Sequence, residues 1–200
     1  MKRILLPAIA GGLLAMSGVA LADTAVSAVT DLNVRAGPGP QYPVIGVLAA
    51  GQSATLNGCI ENSKWCTIAE ADGQGWVYSD YVTADFDGSR VVLTQRPHGS
   101  RVTVVTPPAD SGDYPGNYTG AIVSGEPIDA IDRPPAEVRT YISKHQVDPV
   151  YLDGEVVTGA TLPDAVELRE IPDYNYRYVY VSGQPALIDP QTRRIMYVVR

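Results

Sequence analysis

Two cysteines, two histidines and a scatter of carboxylates are the reactive side chains that this 200-residue sequence offers. Cys59 and Cys66 are seven apart, with Glu61, Asn62 and Ser63 between them. That is not the C-x-x-C spacing of a redox-active pair, and metal sites need more ligands at closer spacing. Gly58-Cys59 and Trp65-Cys66 facing each other across a hairpin would bring two Cα atoms within bridging reach, so a structural disulfide is expected. His98 falls in an expected turn and His145 at the end of an expected helix, and neither accompanies a recognisable nucleophile motif. Asp153 with Glu155, and Glu167 with Glu170 and Asp173, have no cleft to pair them and read as solvated surface. H-E-x-x-H, P-loop and dinucleotide signatures are missing. The expectation is a non-enzyme, with no catalytic residue, no metal ligand and no cofactor.

Recognition chemistry is the remaining resource, and it lies in the aromatics. Tyr42, Trp65, Trp76, Tyr78 and Tyr81 cluster in the first half. Tyr42, Trp65, Tyr78 and Tyr81, with Arg35, are the candidates for a ligand groove. Tyr42 and Tyr78 stand out because they lie near a loop or a strand end, where binding residues concentrate. Trp76 and Val77 are neighbours on a strand, so one is expected inside and the other on the surface or in a groove. Arg35 and Asn33 serve equally well as polar residues that stabilise a barrel. Tyr174, Tyr176, Tyr178 and Tyr180 alternate along a second strand. They form either a stacking face for carbohydrate or peptide, or cross-strand packing, and packing is the favoured reading.

Three segments must position these residues. Residues 25–84 are short β-branched runs cut by Gly, Pro and Asn, with no helical period, which suits a small β-barrel. Residues 85–132 are rich in Pro, Gly, Asp and Ser and read as a linker. Within it, Arg90–Thr94 and Arg101–Val105 flank Pro97-His98-Gly99-Ser100, so a hairpin over 90–105 is expected. Residues 107–120 have no apolar periodicity and are the expected flexible connection. From 133 the chain reads as one helix followed by an antiparallel meander. Pro134-Pro135-Ala136 opens the helix, and Val138, Tyr141, Ile142 and His145 share a face. Strands are expected at Tyr151–Val156, Ala165–Ile171, Tyr174–Val181, Ala186–Ile188 and Arg194–Val199, with a tight turn at Ser182-Gly183. The fold class is thus mainly β: an N-terminal barrel, a linker and a C-terminal α+β unit.

Ahead of all this, Met1-Lys2-Arg3 precedes an apolar run from Ile4 to Leu21 that ends Ala20-Leu21-Ala22. A basic start, a short apolar middle and small residues at −3 and −1 mark a secretory signal cleaved after Ala22, giving a periplasmic or secreted protein. The chain from Asp23 onward carries a net charge of −9, which argues against nucleic-acid and anionic-lipid partners. Residues 133–200 contribute only −1 of this, so the acidity belongs to the first domain and the linker.

The run Leu32-Asn33-Val34-Arg35-Ala36-Gly37-Pro38-Gly39, then Val44–Gly51, Trp65–Ile68 and Gly75–Val82, resembles a bacterial SH3 domain. The resemblance implies a recognition module, with cell-wall peptide, peptidoglycan or an envelope protein as partner; some members of that family only dock neighbouring domains. Residues 134–199 are similar to an uncharacterised domain that often ends small exported bacterial proteins, which implies a fold and a compartment but no activity. The closing hairpin is also loosely similar to periplasmic proteins of nickel and cobalt tolerance. The expectation is therefore an exported binding module, with two alternatives: a structural or stress-related periplasmic protein whose barrel docks only within the chain, and a metal-tolerance protein.

Overall fold

Eight strands grow from the punctuated runs of the first half. They are β1 (Thr24–Ala28), β2 (Leu32–Arg35), β3 (Val44–Leu48), β4 (Ser53–Cys59), β5 (Trp65–Glu70), β6 (Gly73–Tyr78), β7 (Val82–Phe86) and β8 (Ser89–Val92). This computed structural model describes residues 24–70, 73–97, 99–107, 121–125 and 133–200. The expected signal over 1–22, residues 108–120 and His98 lie outside them. The strands form one antiparallel sheet in the order β3-β2-β6-β5-β4-β1-β7-β8, and their inward residues build an SH3-like core around Val26, Leu32, Leu48, Ile68, Val77 and Val82. Trp76 and Val77 are both buried, so the expectation that one would reach the surface is corrected: both faces of β6 are covered.

The sheet also runs past the expected boundary at residue 84. Asp87 and Gly88 both have positive φ, 51° and 81°, and Phe86 pairs with Ser89 across them. Two left-handed residues at a two-residue loop match the right-handed twist of the strands, and Asp-Gly is a favoured pair for them. The expected hairpin over 90–105 is not formed. Arg90, Val91 and Val92 pair instead with Asp85, Ala84 and Thr83, because the Asp87-Gly88 turn offers a nearer partner. Val102–Val105 lies along the end of β4, where Cys59 N donates to Thr103 O at 2.8 Å and Val105 N to Cys59 O at 3.0 Å. Gly58 makes this fit possible: a Cβ there would stand 2.6 Å from the Thr103 carbonyl oxygen.

In the second half, α1 (Ala136–Lys144) packs on β9 (Arg169–Glu170), β10 (Arg177–Val181), β11 (Gln184–Ile188) and β12 (Ile195–Val198), a sheet in the order β12-β11-β10-β9. The helix starts after Pro135 and carries Glu137 in its first turn and Lys144 in its last, each sign matching the helix dipole. Val138 and Ile142 meet Ile171, Tyr178 and Leu187 in a small core, while Tyr141 stacks on His145 with centroids 4.0 Å apart. Ser182 and Gly183, at φ 49° and 81°, make the expected tight turn. Two expected strands are not regular. Leu152, Val156 and Val157 are fully buried in an irregular segment, and of Ala165–Ile171 only Arg169–Glu170 is strand. Arg169 and Glu170 are exposed and pair with Tyr178 and Arg177 of β10.

No gap separates the halves. One apolar cluster runs from Val26, Leu56 and Ile68 of the barrel through Ile122, Leu152 and Val156 to Ile188 and Ile195 of the meander. Residues 121–125, placed in the linker by sequence, are stitched into the second half. Ile122 N donates to Asp153 O at 2.7 Å, and Val123 and Thr161 exchange two backbone hydrogen bonds of 3.0 Å.

Candidate functional site

The five groove candidates separate into two groups. Arg35 and Tyr42 belong to the loop that follows β2. Arg35 Nη1 donates to Pro40 O at 3.0 Å and to Tyr42 O at 2.8 Å, so the side chain ties that loop to its own strand. The Tyr42 ring lies over Gly37, at a place where a Cβ would fall inside the ring. Trp65, Tyr78 and Tyr81 form a separate chain of rings: Trp65 meets Tyr78 edge-on at 5.3 Å, and Tyr78 lies 6.4 Å from Tyr81. All three are buried.

Arg35 is 1% exposed, and its charge is met by a residue from the other half of the chain. Its Nε donates to Glu155 Oε2 at 2.5 Å and its Nη2 to Glu155 Oε1 at 2.6 Å, a two-point contact that suits the planar guanidinium. Asn33 Nδ2 donates to Glu155 Oε1 at 2.8 Å and to Gln184 Oε1 at 2.9 Å, and the Val156 amide donates to Glu155 Oε1 at 2.9 Å. Both charges are thus removed from water and both are satisfied, which is the condition for such a pair to persist in a core. Arg200 adds a rim contact, donating to Asp31 O at 3.1 Å. The expectation that Glu155 is solvated surface is therefore corrected. Its neighbour Asp153 is exposed, whereas Glu155 sits in the apolar run Glu155-Val156-Val157, a setting that signals burial.

Next to the covered aromatics a cleft of about 320 Å³ stays open, lined by Asn62, Ser63, Lys64, Trp65, Tyr78, Ala121, Ile122 and Asp153. Lys64 lies 5.6 Å over the Tyr78 ring and donates to Asp80 at 2.8 Å. Burial, then the negative charges of Asp80 and Asp153, push the Tyr78 hydroxyl well above its ordinary range, so it stays a donor at any physiological pH. The cleft therefore offers a cation, an anion, a phenol and an indole within one small opening.

The tyrosine row is shared between packing and surface. Tyr178 Oη donates to the His145 carbonyl at 2.8 Å and Tyr180 Oη to the Ile142 carbonyl at 3.0 Å, satisfying orphan acceptors at the end of α1. Tyr174 and Tyr176 are half-buried, with rings 5.7 Å apart.

Cys59 and Cys66 are bonded to each other and directly paired between β4 and β5. Asn62, at φ 58°, turns the loop between them. Closing so short a loop removes little unfolded-chain entropy, and Cys59→Ala/Cys66→Ala is expected to cost about 2.5 kcal/mol. Urea unfolding of the two proteins, compared at equal slope, checks this. No group of three or more His, Cys, Asp or Glu among the described residues could hold a metal ion, and no described helix is long and apolar enough to cross a membrane.

Comparison with known proteins agrees with this architecture. Residues 30–83 match the family described as "Bacterial SH3 domain", and residues 141–200 match "Domain of unknown function (DUF1236)". A Bacillus subtilis protein named "Putative N-acetylmuramoyl-L-alanine amidase YrvJ" is 40% identical over 62 residues, which is 31% of this chain and 12% of that protein. The chain thus spans about an eighth of that relative's length. No solved structure matches.

Proposed function

We propose that this chain, a bacterial SH3 domain joined to a domain of unknown function, is an exported, non-catalytic protein of the cell envelope that binds cell-wall peptide. The observation that carries the reading is the open cleft beside Trp65 and Tyr78, on a chain similar over 62 residues to a protein named as a putative N-acetylmuramoyl-L-alanine amidase. Lys64, half-exposed beyond its ion pair with Asp80, can also take a peptide carboxylate there, the exposed Asp153 can take an ammonium group, and Trp65 and Tyr78 supply the apolar floor. A short peptide with a free amine and a free carboxylate carries that pair of charges. Export is supported by the basic-apolar-small pattern at residues 1–22 and by the disulfide, since thiols stay reduced in the cytoplasm.

Co-sedimentation of residues 23–200 with isolated sacculi tests the reading. Retention at moderate salt, with loss on Lys64→Ala, is the expected result. Absence of retention would overturn it.

A second reading is favoured by a different observation. The Arg35–Glu155 contact and the continuous core make the barrel a packing unit of the whole chain, as a structural envelope protein requires. Failure to bind sacculi or soluble wall peptides, with stability intact, would leave that reading in place.

A further inference from the structure

A second, separate cleft lies elsewhere on the molecule. It measures about 580 Å³ and is lined by Val29, Asp80, Tyr81, Val92, Thr94, Gln95, Ser124 and Gly125, sharing no residue with the Lys64 cleft. Its size is that of sites that enclose small ligands.

The chemistry of its wall is specific. Tyr81 is 1% exposed, yet its hydroxyl completes no hydrogen bond, although it lies beside Ser124 and the Gly125 backbone. A buried polar group left in that state is costly, so it marks a place where a partner belongs. Asp80 is already satisfied. Burial pushes its carboxyl up, but hydrogen bonds from Lys64, Ser124 and Thr94 outweigh burial and hold it below the usual range. With Lys64 Nζ at 2.8 Å and Ser124 Oγ at 2.6 Å from Asp80 Oδ2, that charge is neutralised inside the protein. Among the described lining residues, no cation is left over for a carboxylate or phosphate and no free anion for an ammonium group.

What remains is a neutral set: the Tyr81 hydroxyl and the Gln95 amide, which both donate and accept, and the Thr94 and Ser124 hydroxyls, which donate to Asp80 and still accept. Val29 and Val92 supply apolar wall. Neutral vicinal hydroxyls complement such a set. An acetamido group adds a carbonyl for a buried phenol and a methyl for a valine face.

We propose that this cleft is a carbohydrate site for a neutral acetamido sugar, with Tyr81 and Gln95 as its principal hydrogen-bonding residues. It needs residues of both halves, because Ser124 and Gly125 come from the strand-like segment fixed on the C-terminal unit.

The test is an amide NMR titration of residues 23–200 with tri-N-acetylchitotriose, with cellotriose as the control lacking acetamido groups. Saturable shifts at Tyr81, Thr94, Gln95 and Gly125, with a Kd on the order of 1 mM or tighter and a weaker response to cellotriose, are expected. Tyr81→Phe should weaken binding roughly three- to tenfold while leaving the free protein's melting temperature equal or higher, since it deletes an unpaired buried hydroxyl. Shifts confined to other residues, an equal response to cellotriose, or an unchanged affinity in Tyr81→Phe would overturn the proposal, as would no shift at all. The outcome is separable from wall-peptide binding: sacculus retention that depends on Lys64 can hold or fail whatever the sugar does.

Discussion

Glu155→Ala is expected to destabilise the folded chain by roughly 3–5 kcal/mol, among the largest effects of any single substitution here. The reason lies in what the mutation leaves behind. Arg35, 2% exposed in its side chain, would keep its charge in the core with only two backbone carbonyls as partners, and Asn33 would lose one of its acceptors. Removing both charges together is different. Arg35→Met/Glu155→Leu exchanges a desolvated pair for apolar volume, and such replacements are often neutral or better. The double variant should therefore recover most of the loss, although the loop from Ala36 to Pro43 would lose its two hydrogen bonds to Arg35. Chemical denaturation of the wild type, both single variants and the double variant gives the coupling between the two residues. A Glu155→Ala cost below about 1 kcal/mol would mean that the pair is not buried as described.

Leu152→Ala is expected to cost roughly 2–5 kcal/mol, the range for emptying a fully buried leucine site. Its diagnostic value lies in where the loss is reported. Trp65 and Trp76 are the only tryptophans, and both sit in the barrel, whereas Leu152 belongs to the second half. If the apolar cluster that joins them is one cooperative unit, tryptophan fluorescence and far-ultraviolet circular dichroism must shift by the same amount in a single transition. A fluorescence midpoint that stays put while the dichroism midpoint falls would separate the halves.

The barrel was legible in the sequence because its signals are local. Alternation over Leu32–Arg35, Gly and Pro at the turns, and the short spacing between Cys59 and Cys66 each act within a few residues. The same holds for α1 and for the Ser182-Gly183 turn. What escaped depends on distance. Asp87-Gly88 is as strong a hairpin signal as Ser182-Gly183, but it lies in a segment whose overall composition reads as linker, so the run Arg90–Thr94 is expected to pair forward with Arg101–Val105, whereas it pairs back with β7. Glu155 reads as surface by residue type although Val156 and Val157 follow it, because the partner that makes its burial tolerable lies 120 residues away. The candidate groove fared similarly. Residue type marked Trp65, Tyr78, Tyr81 and Arg35 as able to bind, but only the fold shows that three are packed as rings and that the fourth is claimed by the chain itself. Ile122 and Ser124 carried no signal, since their positions rest on backbone pairing with Asp153 and Thr161.

The Arg35–Glu155 contact also sets an order of events. A ribosome delivers Arg35 long before Glu155, 120 residues further along the chain. The barrel strands can pair as soon as they emerge, yet one of their inward-facing residues carries a charge with no counter-ion until the second half arrives. Contacts so far apart along the chain slow the approach to the native state and extend the lifetime of partly assembled forms. A barrel without the second half would hold the Arg35 charge in its interior with no counter-ion, so the carboxylate that the barrel needs is supplied by the chain itself.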